Sequence, residues 1–156
     1  MIRKATISEL SIIQRIVRET VSEIYPNYYP LEVVQFFLNH HNEENIIRDL
    51  NEGNVYLLLE DNIPVGTGTV VENSMNRVFV LPQHQGKGYG TQLMDFLENK
   101  ISEQYDSIIL DSSLPGFNIY IKRGYKQREF LEEPVENGRI LFYPVMTKDT
   151  ARKQQK

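Results

Sequence analysis

Three glycines alternate in Gln85-Gly86-Lys87-Gly88-Tyr89-Gly90, and Thr91 follows them. Glycine lets a backbone turn at positive φ with its N–H groups pointing inward. Directly after this turn Leu93, Leu97 and Ile101 recur four residues apart, the spacing of one helical face. The start of a helix adds unpaired N–H donors and the positive end of the helix dipole. Such a turn is a socket for an anion, most naturally a phosphate. The plainer alternative is a tight turn before a helix. A dinucleotide-binding turn would need a glycine where Thr91 stands, and no G-x-x-x-x-G-K-[ST] run occurs. The pair His40-His41 invites a metal reading, but sequence neighbours do not share a helix face and no carboxylate partner is evident. We read both as surface or loop histidines and expect no metal.

The elements around the turn follow from pattern. Asn76 to Leu81 reads as a strand stopped by Pro82, and it delivers the chain into the glycines. Upstream, Ile2 to Ala5 suits a first strand. Thr6 to Glu9 has the form of a capping box, and Leu10, Ile13, Val17, Val21 and Ile24 continue it at helical spacing. Pro30 suits the start of a second helix, which His40-His41-Asn42 interrupts before the pattern resumes from Glu43 to Leu50, with Gly53 as a stop. Val55 to Leu59 and Ile63 to Val71 read as strands, the latter with Gly66 and Gly68 marking a close backbone approach or a bulge. Downstream come a strand at Ser107 to Asp111, a short helix from Pro115 to Lys122 or Arg123, a strand from Lys126, a hairpin turn at Asn137-Gly138 and a last strand from Ile140 to Met146.

At 156 residues and 40% hydrophobic, the chain suits one domain: residues 1–147, followed by a polar, frayed tail over 148–156. The absence of cysteine excludes disulfides, thiolate metal sites and cysteine nucleophiles. No long apolar run follows Met1-Ile-Arg-Lys, so we expect no signal peptide, no membrane span and a cytoplasmic protein. Net charge is −4, and the tail from Lys148 carries +3 of opposite sign, leaving −7 on the body. That balance argues against nucleic acid as a partner. It is compatible with a cationic amine, and equally with simple solubility.

Strand, glycine turn and helix together resemble motif A of the GCN5-related N-acetyltransferases (GNAT), written [QR]-x-x-G-x-[GA]. A second stretch, Ser113-Leu-Pro-Gly116-Phe-Asn-Ile-Tyr120-Ile-Lys-Arg-Gly124-Tyr125, resembles the family's N-x-x-A-x-x-x-Y-x-x-x-G-[FY]. Tyr120, Gly124 and Tyr125 match, while Ser113 replaces the usual Asn and Gly116 the usual Ala. The resemblance extends to about Met146. It implies an α/β (α+β) GNAT fold in the order β-α-α-β-β-β-α-β-α-β-β, with a mixed central sheet splayed between the fourth and fifth strands.

The resemblance also implies an acetyl transfer from acetyl-CoA to a primary amine of a small molecule or peptide, by direct attack in a ternary complex. The alternative is a coenzyme A-binding module without catalysis, and the assembly is expected to be a monomer or homodimer. The family's turn amides hold the coenzyme's pyrophosphate, which assigns Gln85, Gly86, Lys87, Gly88, Tyr89, Gly90 and Thr91 to the cofactor. Val78, Phe79 and Val80 would pair with the pantetheine arm, across the splay from the strand ending at Asp111, and Ser113 would contact the coenzyme. The Val80 N–H, or that of a neighbour, would stabilise the oxyanion. Tyr120, a phenol with an ordinary pKa of about 10, is protonated at neutral pH and would serve as general acid to the leaving thiolate. For the base, Glu72 is the carboxylate candidate, also readable as a solvated turn residue; His84 and a water chain are the alternatives. Tyr28 and Tyr29 would line the acceptor pocket, with Tyr25, Phe36 and Phe37 readable as lining or core.

Overall fold

Apolar periodicity and turn chemistry account for most element boundaries in the computed structural model, which describes residues 1–156. β1 (Ile2–Lys4) leads through a short turn into α1 (Leu10–Ile24). The Glu9 carboxylate accepts the Thr6 N–H at 2.9 Å, in the capping box expected of Thr6 and Glu9. α1 buries Ile13, Ile16, Val17 and Val21, at i, i+3, i+4 and i+8 on one face. The next region holds two helices, α2 (Leu31–His40) and α3 (Glu43–Asn51), so the order has three helices before the second strand and not two. His41 leaves the helical region at ψ 48, and the Asn42 side chain restarts the chain by accepting the Asn45 N–H at 2.9 Å.

β2 (Val55–Glu60), β3 (Ile63–Val71) and β4 (Ser74–Val80) form an antiparallel meander. α4 (Tyr89–Ser102) crosses over to β5 (Ser107–Asp111), which lies parallel to β4. α5 (Leu114–Lys122), β6 (Lys126–Pro134) and β7 (Ile140–Asp149) follow, and a short α6 (Ala151–Gln154) ends the chain. The sheet order is β1-β2-β3-β4-β5-β7-β6. β2 is buried on both faces. Val55, Leu57 and Leu59 join the core under α1–α3, and Tyr56 and Leu58 join the core under α4. A fully buried leucine or isoleucine contributes roughly 1.5–3 kcal/mol relative to exposure, so these two layers hold the central strand between them.

Two local features shape the functional region. β4 and β5 share a single register pair, Ser74 with Ile109, supported by the Ile109 N–H donating to the Asn73 carbonyl at 3.0 Å. Beyond that rung the strands diverge. β4 also carries a bulge, where Arg77 stands at φ 51 and neither Arg77 nor Val78 has a partner in β3. The bulge turns the strand over: Met75 packs into the α4 core, whereas Phe79, of the same parity, packs into the α1 core. Gly68 is the expected close approach, since a Cβ there would meet Leu97 Cδ1 of α4 at 2.5 Å.

The polar C-terminus departs from expectation. β7 continues to Asp149, and buried Thr150 donates its hydroxyl to the Tyr105 carbonyl at 2.7 Å. Asp106 receives Lys156 at 2.6 Å and Arg152 at 3.3 Å. A polar sequence gives no apolar periodicity to reveal such docking, which rests on one buried hydroxyl and exposed ion pairs.

Candidate active site

The glycine turn is open on the side where a ligand would lie. Gly86 and Gly88 stand at φ 76 and φ 87, which L side chains rarely adopt, and Gly88 forms the N-cap of α4. Gly90 is different, being helical with ordinary φ. A Cβ at any of the three would meet nothing within 4 Å. Protein packing therefore gives no reason for a glycine at position 90. Lys87 and Thr91 are exposed beside these amides. The Gln85 side chain turns back and donates to the Val80 carbonyl at 2.9 Å, tying the turn to the end of β4. Behind the turn Glu60 accepts the Tyr89 hydroxyl, which pushes that phenol up to about 12, and lies 3.3 Å from His84. Tyr89 and His84 thus brace the turn from behind.

The Leu81 N–H donates to the Val65 carbonyl and Phe79 is paired with Thr67, so alternation turns the Val80 N–H away from its β3 neighbour Gly66 toward the splay. The splay opens into a cavity of about 840 Å³ between α2–α3 and strands β4, β5 and β7. Val78, Phe79, Ser113 and Tyr120 line it, and Val80 does not. Tyr120 is held by the rest of its motif. Gly124 ends α5 at φ 93, the Tyr125 N–H returns to the Tyr120 carbonyl at 3.0 Å, and the two rings meet edge to face at 5.5 Å. Buried Tyr125 donates to Glu98 of α4 at 3.0 Å, and the same carboxylate receives Arg123 and Lys148. Gly116 lets the Tyr120 ring fold back over its own helix, because a Cβ there would lie 2.9 Å from Tyr120 Cε2. Burial pushes the Tyr120 phenol up to about 12, so it stays protonated at neutral pH.

The acceptor side differs from the sequence reading. Tyr28 is exposed and lines neither main cavity. The Tyr29 hydroxyl accepts the Leu114 N–H at 2.7 Å, satisfying the start of α5, and its ring borders a separate apolar groove. The aromatic wall consists instead of Tyr25, Phe36, Phe37, His40 and His41. Tyr25 packs edge-on to Phe37 at 4.9 Å and its hydroxyl bonds Ser113, so Ser113 is partly engaged within the protein.

His41 lies in the turn between α2 and α3, as a loop histidine, but is half-buried there. Its Nδ1 is buried without a partner, its ring meets Phe79 at 5.6 Å, and burial followed by the Arg77 charge pushes it down to about 3. Arg77 was missed in the sequence, although a charge at a buried parity position between Met75 and Phe79 is itself a signal. It is buried, bonds Asp49 of α3 at 3.0 Å and Thr69 at 3.2 Å, and fixes the bulge. Glu72 is exposed in the β3–β4 turn at φ 54. It lies eight residues, roughly 26 Å of strand, from Val80. The two cannot serve one reacting carbon.

The architecture defines a GNAT-type acyltransferase fold. A GCN5-related N-acetyltransferase of Rhodopseudomonas palustris superposes with a TM-score of 0.86 at 20% identity, over 96% of this chain and 94% of that one. A GNAT-family acetyltransferase of Streptococcus agalactiae gives 0.78 at 17% identity, over 96% and 95%. The PaiA N-acetyltransferase of Thermoplasma acidophilum, solved with coenzyme A, gives 0.72 at 18% identity, over 96% and 98%. Among curated proteins, none matches the chain in sequence. The family model described as an acetyltransferase (GNAT) domain matches residues 24–149, and the chain belongs to that family. No helix is long and apolar enough to cross a membrane.

Proposed function

We propose that this protein transfers the acetyl group of acetyl-CoA to the primary amine of a small molecule or peptide by direct attack in a ternary complex. One observation carries the proposal. An open glycine turn at a helix N-terminus adjoins a strand splayed from its neighbour, and a protonated tyrosine stands in the same splay. The amides of residues 86–91 suit the pyrophosphate, with Lys87 beside them. The backbone of Val78 to Val80 suits the pantetheine amides, which would add a strand where β5 has diverged.

The Val80 N–H faces the splay, but Val78 borders the cavity that contains Tyr120 and is free of β3. The geometry therefore favours Val78 for the oxyanion and Val80 for the arm. One oriented donor of this kind lowers the barrier by about 2.7–4 kcal/mol. As the C–S bond breaks, the Tyr120 hydroxyl gives its proton to sulfur. Apart from Asp49, which Arg77 neutralises, the cavity wall carries Glu52, Glu72, Asp111 and Glu133 against Arg48. That balance attracts an ammonium group.

Incubation with acetyl-CoA and a panel of polyamines, aminoglycosides, amino acids and peptides tests the assignment through thiol release. Turnover with at least one amine is expected. Tight coenzyme binding with no turnover across the panel would overturn catalysis in favour of a binding module.

A further inference from the structure

The cavity contains five carboxylates, and four have other engagements or positions. Asp49 is bound to Arg77 at 3.0 Å. Glu52 accepts the Asn54 amide at 3.1 Å. Glu72 sits in the exposed turn before β4, and Glu133 lies on the outermost strand, β6. Asp111 is the last residue of β5; its backbone pairs with Val145 of β7, and its carboxylate, exposed to the cavity, has no hydrogen-bond or ion-pair partner. Ile108 and Leu110 face the α4 core, so Asp111 is on the opposite face with the acceptor cavity. The register pair Ser74–Ile109 sets Asp111 level with Asn76. Val78 is two residues further along β4, about 7 Å in the strand direction, and both residues line the cavity into which the splay opens.

We propose that Asp111 is the general base that accepts the proton of the attacking amine, a primary alkylamine that the same carboxylate first attracts as its ammonium ion. This rests on the acetyl-transfer reading above. The ammonium sheds one proton to solvent by way of Asp111. The neutral nitrogen then attacks the thioester carbon, the C–N bond forms and the C–S bond breaks. Asp111 takes the second nitrogen proton, Tyr120 supplies one to sulfur, and a single proton exchange through solvent restores both residues. His40 of α2, Glu129 of β6 and Tyr143 of β7 act electrostatically on Asp111, and Glu133 of β6, Tyr120 of α5 and the neutralised Arg77 of β4 line the same cavity. Burial, the largest influence, raises the carboxyl above the usual aspartate value, His40 opposes this and Glu129 adds to it. A raised value strengthens the base.

The test compares wild type with Asp111→Asn and Asp111→Glu. With the best amine of the panel, Asp111→Asn should lower kcat by about 10²-fold or more, remove the acidic limb of the kcat–pH profile and leave acetyl-CoA affinity within twofold. Asp111→Glu should recover part of kcat and restore the limb. Wild-type kcat and an unchanged limb in Asp111→Asn would overturn the proposal, as would an equal loss of acetyl-CoA affinity. Carboxyl NMR with butylammonium supplies a readout independent of turnover. The Asp111 resonance should shift on addition and be missing from the Asn variant. If the wild type acetylates nothing, the function assignment fails; an Asp111 signal indifferent to butylammonium overturns the base assignment itself.

Discussion

Replacing Gly90 by Ala separates the demands of the fold from those of a ligand. Gly90 has ordinary helical φ, and its added methyl would meet no protein atom within 4 Å. In the free protein the substitution has no clash to relieve and gains helix propensity of about 0.5–1 kcal/mol. For a chain of this size that corresponds to a rise in Tm of roughly 1–4 °C. If coenzyme phosphate occupies the space above the turn, the methyl stands in it. Affinity for coenzyme A should then fall at least tenfold, about 1.4 kcal/mol. Calorimetric unfolding without ligand and titration with coenzyme A read the two effects separately. Stabilisation with loss of binding is the expected pair. Unchanged affinity would refute the placement of the phosphate over Gly90, and a lowered Tm would refute the claim that packing leaves the position free. Gly88→Ala provides the contrast. At φ 87 it forces an L residue into the left-handed region, costing about 1–2 kcal/mol even without ligand.

Other outcomes follow from the same geometry. Tyr120→Phe keeps the ring and removes the proton, so kcat should fall while coenzyme affinity stays within a few-fold; equal activity would remove the acid role. Gly116→Ala places a methyl 2.9 Å from Tyr120 Cε2, so the ring must move and kcat should fall. Combined with Tyr120→Phe it should add little, and full additivity in the double-mutant cycle would argue against positioning through Tyr120. His41 ionises near its ordinary value when unfolded but is held down to about 3 when folded. The unfolded chain therefore binds more protons between those values, and stability is lost as pH falls through this window, by up to about 1.4 kcal/mol per pH unit. Denaturant unfolding of His41→Gln should show a flatter dependence between pH 6.5 and pH 4.5; an identical slope would place the proton uptake elsewhere.

The backbone-level features of the site were legible in the sequence. Gly86 and Gly88 at positive φ, the strand before them and the helix after them all come from local chemistry, which a chain displays residue by residue. The Gly124 stop was legible for the same reason, whereas Tyr120 was marked only by the resemblance of its motif to the family's. What depended on distant partners was not. The engagement of Tyr29 is with Leu114, that of Asp49 with Arg77, and the burial of His41 comes from Phe79 and the cavity wall. Aromatic residues in a turn gave no sign of which would face the cleft, and Tyr25 does so where Tyr28 does not. Asp111 was visible as the end of a strand, but its significance depends on β4 and β5 parting after one rung.

That single rung has a mechanical consequence. Backbone bonding divides the seven strands into a group of four, β1 to β4, and a group of three, β5 to β7. What joins the groups is mainly the apolar packing of α4, whose Leu93, Met94, Leu97 and Ile101 share a core with Met75, Ile108 and Met146. Val80 therefore belongs to a central strand but has no strand neighbour on its open side. In hydrogen exchange its amide should behave like a loop amide in the free protein and gain protection when a ligand lies along β4. The bound cosubstrate would then complete the sheet, and its departure would leave a seam along which the two groups can breathe.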